Sequence, residues 1–434
     1  MRKYLVLAFA AMFLVAGCTS GSSGTKAAGT STTAGGSTNT TLNSAEASRA
    51  PGVTPTSLKI GVTYVDVSAV QASGLNLTLG DYQGSYQALI NQINASGGIA
   101  GRKISVVFAP INPIGTAPAD AACLKLTEDE KVFVAVGFFL NDAVLCPVST
   151  HNTAVIGGAQ SPALMAKATA PWFTTNAGEE VPVNVLKVMN QKKLLTGKVA
   201  VYAQVADQDL MNNAVLPELT KLGIKVTDKA VEDAPAGDTA AIQSGTQLIA
   251  QRFKAEGVTK VILVGPSSAD WFLAMQDQTY QPQILATDTA GVNAFLSNSA
   301  THNTSLLKGA VQGGAYGSDS WVFSDAKMQA CFAIIKKAGI AVPAPDPADA
   351  NKKGYVGPED ACVNVTLLKA ILEKAGKGLN YATFRQAGYT LGPILIPGDP
   401  VPRVYGPPPA TDGNPTPFLS TWNPTTKAFV AVAK

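Results

Sequence analysis

Histidine is scarce in this sequence, which contains two histidines in 434 residues. His151 and His302 both lie in polar, loop-like stretches. Neither belongs to an HExxH motif or stands beside a pair of cysteines in the sequence, so a metal site has little support. A GxSxG nucleophile elbow and a Walker A loop are also lacking. We therefore predict that the protein is not an enzyme and that it holds no metal and no cofactor.

A strong charge imbalance is lacking too. The 33 basic residues nearly balance the 30 acidic ones, for a net charge of +3, and they form no stripe. This pattern predicts no nucleic-acid partner. Beyond the N-terminus, no apolar run is long enough to span a bilayer. The chain from about Val53 onward is long and apolar enough to fold as two domains, each with its own core.

The first eighteen residues are typical of an export signal. Arg2 and Lys3 precede Leu5–Val15, an apolar run too short to cross a membrane. The segment ends in Leu-Val-Ala-Gly-Cys, which resembles a bacterial lipobox and implies cleavage before Cys18 and lipidation of its thiol. An ordinary secretory signal is the alternative. We predict an extracytoplasmic protein that is attached to the bacterial cell membrane through a lipid anchor.

Residues 19–54 are predicted to form a flexible linker. They consist mostly of Ser, Thr, Gly, Ala and Asn. Such a chain buries too little apolar surface to offset the entropy lost on ordering. The linker would tether a folded module to the membrane.

Four cysteines remain after Cys18, and an even number in an oxidising compartment suggests two disulfides. The sequence permits three pairings. We favour Cys123 with Cys146 and Cys331 with Cys362, because each pair lies within one predicted supersecondary unit. Buried free thiols are the alternative, since these positions also fall on apolar helix faces.

The folded part alternates strands and helices. Leu58–Val65 and Ile104–Phe108 are β-branched-rich and flank a helix with an apolar stripe that includes Tyr82, Tyr86 and Ile90. Gly97-Gly98 is predicted to end that helix. Such a unit implies a parallel sheet. The alternation runs twice, with a junction near Thr175, which describes two doubly wound lobes.

In this order, the parts resemble the type I periplasmic binding proteins, specifically the branched-chain-amino-acid-type substrate-binding proteins of ABC importers. The most specific motif is INQINASGGIAGRK. Weaker ones are VFVAVG, AVIGGAQSPAL, PWFTTN, QILATDTAG and GAVQGGAYG, and the resemblance covers about Leu58 to the C-terminus. It implies an α/β fold of two Rossmann-like lobes joined by a three-crossover hinge. Lobe 1 would comprise residues 55–175 and 288–390, and lobe 2 residues 176–287 and 391–434.

The resemblance places a ligand in the cleft between the lobes, where strand ends and helix N-termini meet. The candidate ligand-binding residues all lie in turns that follow strands: Asn141, Asp142, Gln160, Ser161, Asp207, Gln208, Ser267, Ser268 and Asp288. Asp288 stands where the family often holds an acid for a ligand ammonium group. The turn from Phe138 to Asp142 departs from the family's small hydroxyl residues, and we assign Phe138 and Phe139 partly to the core. The serines and Asp288 fit equally well as helix caps or turn residues.

Together these features predict a solute-binding lipoprotein that captures a small molecule, an amino acid or related metabolite, and delivers it to the permease subunits of an ABC importer. A sensory or regulatory ligand-binding module with the same fold is the alternative. The lipobox and linker favour import, because a receptor-attached sensor would normally carry a transmembrane helix. The sequence leaves the ligand's identity open.

Overall fold

Two β-sheets organise the chain. The computed structural model describes residues 49–68, 71, 77–113, 116–176, 180–234, 238–265, 269–296, 302–314, 319–345, 352–399, 401–413 and 417–432. The predicted signal segment with Cys18, and most of the predicted linker, lie outside these residues. Within them, no helix combines the length and the apolar character needed to cross a bilayer.

The first sheet is parallel, with the strand order β2-β1-β3-β4-β5. Its strands are β1 (Ser57–Val65), β2 (Lys103–Ile111), β3 (Val134–Gly137), β4 (Ala154–Gly157) and β5 (Trp172–Phe173). Every residue of β3 and β4 is buried, as expected of a parallel sheet covered on both faces. In β1, Ile60 lies between Val106 of β2 and Val134 of β3, so β1 is an inner strand of this lobe.

The predicted helix between β1 and β2 is α1 (Tyr82–Ala95). Asp81 caps it by accepting a hydrogen bond from the backbone N of Gly84 at 2.8 Å. Tyr86 and Ile90 on its apolar stripe are fully buried. The chain turns at Gly97 and Gly98, whose φ values of 103° and 79° require glycine. Two shorter helices follow in this lobe: α2 (Ala117–Leu124), which continues into a π turn, and α3 (Pro162–Met165).

The second lobe repeats this winding. Its first elements are α4 (Glu180–Gln191), β6 (Val199–Gln204), α5 (Gln208–Leu210), α6 (Leu216–Lys221), β7 (Val226–Glu232), α7 (Thr239–Ala255), β8 (Lys260–Leu263), α8 (Ala269–Met275), β9 (Gln283–Ala286), α9 (Ala290–Leu296) and β10 (Val311–Gly314). A π turn joins α5 to α6. The parallel strands lie in the order β7-β6-β8-β9-β10. Each lobe therefore carries the same doubly wound topology.

The chain then returns to the first lobe. This part contains α10 (Asp319–Ser324), α11 (Ala326–Lys337), α12 (Val356–Ala375), α13 (Tyr381–Tyr389), β11 (Pro393–Ile394) and β12 (Arg403–Val404). Ile371 of α12 and Phe384 of α13 share a core with Ile60 and Tyr86. The last strands, β13 (Phe418–Asn423) and β14 (Ala428–Ala431), extend the second sheet in antiparallel fashion beyond β10.

The chain passes between the lobes three times, and two of the predicted boundaries need correction. The first crossover joins β5 to α4, near residue 175. The second follows β10 rather than residue 287, because β10 pairs with β9 and β13 in the second sheet. The third precedes β13 rather than residue 391, because Ile396 and Tyr405 belong to the first lobe's core. Lobe 2 therefore keeps residues 288–296 and 302–314, and lobe 1 keeps residues 391–399 and 401–413.

The four cysteines pair as predicted. The Sγ atoms of Cys123 and Cys146 lie 2.11 Å apart, and those of Cys331 and Cys362 lie 1.99 Å apart. The first disulfide joins α2 to the turn after β3, and the second joins α11 to α12. Both crosslink lobe 1.

Candidate functional site

Both sheets reverse their strand order beside an inner strand. In lobe 1, β2 and β3 lie on opposite sides of β1, and in lobe 2, β7 and β8 lie on opposite sides of β6. In open α/β sheets, ligands bind in the crevice beyond the carboxyl ends of the strands at such a reversal. The candidate site is therefore formed by the turns that follow these strands.

In lobe 2, Asp207 lies at this reversal. It ends a short 3₁₀ turn directly after β6 and is 8% exposed. A Cβ atom added to Gly265, two residues after β8, would lie 2.3 Å from the Cγ atom of Asp207. The carboxyl group thus rests on the backbone of Gly265, whose φ of +74° also favours glycine. Gly265 provides the space that Asp207 occupies.

Asp288 follows β9 at the same edge and is half-buried. Its Oδ1 atom accepts a hydrogen bond from the backbone N of Ala290, the first residue of α9. Burial raises the pKa of the Asp288 carboxyl, the bond from Ala290 lowers it, and the charge of Asp207 raises it again. The two carboxylates thus interact. A bound cation would stabilise both ionised carboxylates, and it would thereby offset the cost of burying them and the repulsion between them.

A third acid lies near this edge. The side-chain amide of Gln204, the last residue of β6, donates to Oδ2 of Asp270 at 2.5 Å. Val205, between Gln204 and the turn that holds Asp207, is exposed. The rim of lobe 2 thus combines carboxylates with an exposed apolar side chain. The predicted residues Ser267 and Ser268 lie outside the described residues.

The corresponding turn of lobe 1 is partly core, as predicted for its aromatic residues. Phe139 is buried, and half-buried Phe138 packs against the same apolar cluster. Asn141 begins a 3₁₀ turn, and Asp142 in that turn is exposed. The apolar start of this turn distinguishes it from a turn built only of small hydroxyl residues.

Gln160 and Ser161, which follow β4, have different surroundings. Gln160 is buried; its Nε2 atom donates to the backbone O of Trp172 at 3.3 Å, and its Oε1 atom accepts from Oγ1 of Thr411 at 2.9 Å. Its amide therefore joins β5 to the third crossover. Ser161 is half-buried, and its Oγ atom accepts from the backbone N of Leu164 at 3.2 Å. Ser161 thus acts as a cap for α3.

A cavity of about 450 Å³ contains residues of both lobes in its wall. Lobe 1 contributes Ser161 and Ala163. Lobe 2 contributes Val183 of α4 and the helical segment after Gln208: Asp209, Leu210, Asn213, Ala214, Pro217, Glu218 and Lys221. This volume lies within the range of pockets that hold small molecules. The cavity wall therefore brings Ser161 near the start of α5, whereas Asp207 and Asp288, whose charges interact at the lobe 2 edge, are not among the wall residues named above.

Arg403 of β12 joins two of the crossovers. Its guanidinium donates two hydrogen bonds to the carboxylate of Asp399, at 2.6 and 3.0 Å. Nη1 also donates to the backbone O of Thr175 in the first crossover (2.8 Å) and of Asp412 in the third (3.1 Å). Both side chains of the ion pair are almost fully buried. Burial raises the pKa of Asp399, and the hydrogen bond and charge of Arg403 lower it.

A buried carboxylate links the strand ends of lobe 1 to the hinge. Asp360 of α12 accepts hydrogen bonds from the hydroxyl of Tyr86 (2.8 Å) and from Nδ2 of Asn364 (2.9 Å). Asn364 in turn accepts from the hydroxyl of Thr175 at 3.0 Å. A Cβ added to Gly137, which ends β3, would lie 3.3 Å from the Tyr86 hydroxyl. Burial raises the pKa of Asp360 to about 6, although both hydrogen bonds lower it.

The two histidines lie elsewhere. His302 stacks on the ring of Phe295, and its Nδ1 atom lies 2.7 Å from the backbone O of that residue. His151 lies beside Glu128 and, in space, beside the Cys123–Cys146 disulfide.

No protein-family model matches the sequence, and no curated protein matches it. Solved structures match its fold. An ABC transporter substrate-binding protein from Desulfitobacterium hafniense, in complex with Leu, has a TM-score of 0.58 at 14% identity, over 87% of this chain and 100% of that one. A type 1 periplasmic binding protein from Bordetella pertussis has a TM-score of 0.58 at 15% identity, over the same shares.

The chain has the type I periplasmic binding protein fold. This confirms the fold that the sequence motifs predicted. A solute-binding protein from R. palustris, in complex with 4-hydroxybenzoate, has the same fold, with a TM-score of 0.56 at 16% identity over 87% of this chain and 96% of that one. The Desulfitobacterium and R. palustris neighbours are substrate- and solute-binding proteins, and the ligands in their structures, Leu and 4-hydroxybenzoate, belong to different chemical classes. The fold alone therefore does not select a ligand.

Proposed function

We propose that this protein is an extracytoplasmic solute-binding lipoprotein that captures a small molecule between its lobes and delivers it to an ABC importer. One observation carries the proposal: a cavity of about 450 Å³ is walled by both lobes, each of which is a doubly wound sheet with its own strand-order reversal. Hinged lobes of this kind close around a ligand, and closure gives a partner a new surface to recognise. The lipobox ending in Cys18 and the polar linker support a tethered receptor for a permease.

The charge at the lobe 2 edge supports a ligand with a cationic group, such as an amino acid. Asp207 and Asp288 interact there, and burial already raises the pKa of Asp288. An ammonium group would form charge-assisted hydrogen bonds with these carboxylates and stabilise their ionised forms. The half-buried apolar side chain of Phe138 and the exposed side chain of Val205 suit the hydrocarbon part of such a ligand.

A thermal-shift screen of small metabolites tests the proposal. A ligand present at about one hundred times its Kd raises the free energy of unfolding by about 2.7 kcal/mol. Hits should carry a cationic nitrogen. Their affinity should fall about tenfold to a hundredfold in Asp288→Asn, because a hydrogen bond to a charged group contributes about 1.5–3 kcal/mol and Asp207 remains to pair with the ammonium group. Equal affinity in wild type and variant would show that Asp288 does not bind the ligand.

A pair of glycine variants tests the position of Asp207. Gly265→Ala would place a methyl group 2.3 Å from the Asp207 carboxyl carbon, whereas Gly309, with a similar φ of +72°, has open space around the added Cβ. Both substitutions should cost about 1–2 kcal/mol of stability, since both force alanine into the left-handed region. Only Gly265→Ala should also lower the affinity for the ligand. Equal affinities in the two variants would contradict a role for Asp207 in binding.

A further inference from the structure

Two short sequence spacings place four side chains with metal-binding chemistry together in lobe 1. Cys123 is followed five positions later by Glu128, and Cys146 is followed five positions later by His151. The sulfur atoms of both cysteines and an imidazole nitrogen of His151 lie within 4.8 Å of one another. Oε1 of Glu128 lies 3.2 Å from Nδ1 of His151. Two thiols and an imidazole are the donor set of many zinc sites.

The local backbone explains why these groups meet. Cys146–Thr150 form a π turn, and the backbone N of His151 closes it by donating to the O of Cys146 at 3.1 Å. A second π turn, Lys125–Asp129, follows α2 and carries Glu128. Nη2 of Arg49 donates to the backbone O of His151 at 2.6 Å and helps to fix that end. The disulfide then holds the two turns side by side.

The carboxylate of Glu128 is placed to orient the imidazole of His151. Histidines that bind metals commonly make a hydrogen bond from the ring to a carboxylate, which fixes the ring's orientation. Glu128 makes this contact, and its side chain is largely exposed, whereas the His151 side chain is mostly buried. Cys123 is buried, and Cys146 is half-buried. A metal ion could therefore reach the cluster from the side of Glu128.

We propose that reduction of the Cys123–Cys146 disulfide opens a zinc site formed by Cys123, Cys146 and His151, with Glu128 orienting the imidazole. A dithiol reductant supplies two electrons and two protons; the S–S bond breaks, two thiols form, and the reductant leaves as its own disulfide. Each thiol then releases its proton as it binds the ion. In the oxidised protein both sulfurs are committed to each other, so the site exists only in the reduced form.

The required movements are small. Tetrahedral zinc holds sulfur at about 2.3 Å and nitrogen at about 2.0–2.1 Å, so neighbouring ligand atoms lie about 3.4–3.8 Å apart. Reduction breaks the bond between the two sulfurs and leaves them free to move to this separation. The imidazole nitrogen, at most 4.8 Å from a sulfur, must approach by about 1 Å. Side-chain rotations of the half-buried Cys146 and His151 can supply shifts of this size.

The chain contains a matched control. Among the described residues, no other group of three or more His, Cys, Asp or Glu side chains is close enough to share an ion. The Cys331–Cys362 disulfide therefore becomes, on reduction, a pair of thiols with no third ligand in the part of the chain that the structure describes. A variant with Cys331→Ser and Cys362→Ser should keep the proposed site, and a variant with Cys123→Ser and Cys146→Ser should lose it.

The experiment is zinc competition against a chromophoric chelator, and cobalt(II) spectroscopy, on the mature protein before and after treatment with dithiothreitol and its removal. The reduced wild type and the Cys331/Cys362 double variant should bind one zinc ion, with a thiolate-to-cobalt charge-transfer band. His151→Ala, which leaves the disulfide available for folding, should bind at least about tenfold more weakly, as should Glu128→Gln. Zinc binding that is absent from the reduced wild type, equal in the oxidised protein, or unchanged in His151→Ala would overturn the proposal.

Discussion

Replacing Arg403 with methionine tests whether a buried ion pair stabilises the hinge. Methionine keeps an unbranched apolar stem and removes the guanidinium. The change leaves the Asp399 carboxylate buried without its ion-pair partner and removes the donor to the backbone O atoms of Thr175 and Asp412. Removing one member of a buried pair costs about 3–5 kcal/mol. We expect the free energy of unfolding to fall by that amount in urea denaturation at neutral pH.

The loss should depend on pH in a defined direction. In the wild type, burial raises the pKa of Asp399 and Arg403 lowers it. Without Arg403, that pKa rises further above the value in the unfolded chain. Protonation at low pH then removes the buried charge, so the deficit of Arg403→Met should shrink as the pH falls.

Two variants serve as controls. Arg252 pairs with Asp228 at the surface, with 51% of its side chain exposed, so Arg252→Met should cost at most about 1 kcal/mol. Combining Arg403→Met with Asp399→Leu removes both charges and should recover much of the loss. A single Arg403→Met variant as stable as Arg252→Met would show that the buried Arg403–Asp399 ion pair does not stabilise the hinge.

Further predictions concern protonation, anchoring and the second disulfide. Because the pKa of Asp360 is raised from 3.8 to about 6, the free energy of unfolding should increase by up to about 3 kcal/mol as the pH falls from about 6 to 4. Urea denaturation at a series of pH values should show a weaker dependence of this free energy on pH in Asp360→Asn. An unchanged pH dependence would exclude Asp360 as its source. Cys18→Ala should release the protein from membranes or block its processing; a normally cleaved variant that stays in the membrane fraction would contradict the lipid anchor. Removing the Cys331–Cys362 disulfide with two serines should lower stability by about 3–4 kcal/mol, and a loss below about 1 kcal/mol would show that this crosslink constrains little.

The repeating units of the fold could be predicted because their signals are local. Leu58–Val65 and the helix that ends before Gly97 carry unambiguous apolar periods, and the structure confirms them as β1 and α1. The cysteine pairing could be predicted because each pair lies within one unit. The partial burial of Phe138 and Phe139 follows equally from their apolar side chains beside a buried strand.

The later crossovers could not be predicted in the same way. The strand β10 has the sequence Val-Gln-Gly-Gly, and nothing in this short pattern indicates which sheet it joins. Arg403 and Asp399 lie in a proline-rich stretch where charges usually face solvent. Their burial becomes apparent only when the stretch packs against Thr175 and Asp412. Long-range packing, rather than local preference, decides these features.

In the candidate site, too, some features follow from local sequence and others depend on long-range packing. The turn positions of Asp207 and Asp288 follow from strand ends, but the requirement for glycine at position 265 depends on a contact between two separate turns. The sequence places Gln160 among the candidate ligand-binding residues, whereas in the structure both ends of its side-chain amide make hydrogen bonds to strand and hinge residues. The proximity of His151 to two cysteines likewise depends on a disulfide and on π turns, whose five-residue spacing an α-helical pattern does not reveal.

Small-angle scattering of the mature protein, with and without a ligand found by thermal shift, tests the central claim most directly. If the ligand is held between the lobes, saturation should draw the lobes together and reduce the radius of gyration. The same ligand at the same concentration should leave the profile of Asp288→Asn nearer to that of the free protein. A ligand that stabilises the protein strongly but leaves its scattering profile unchanged would contradict capture by lobe closure.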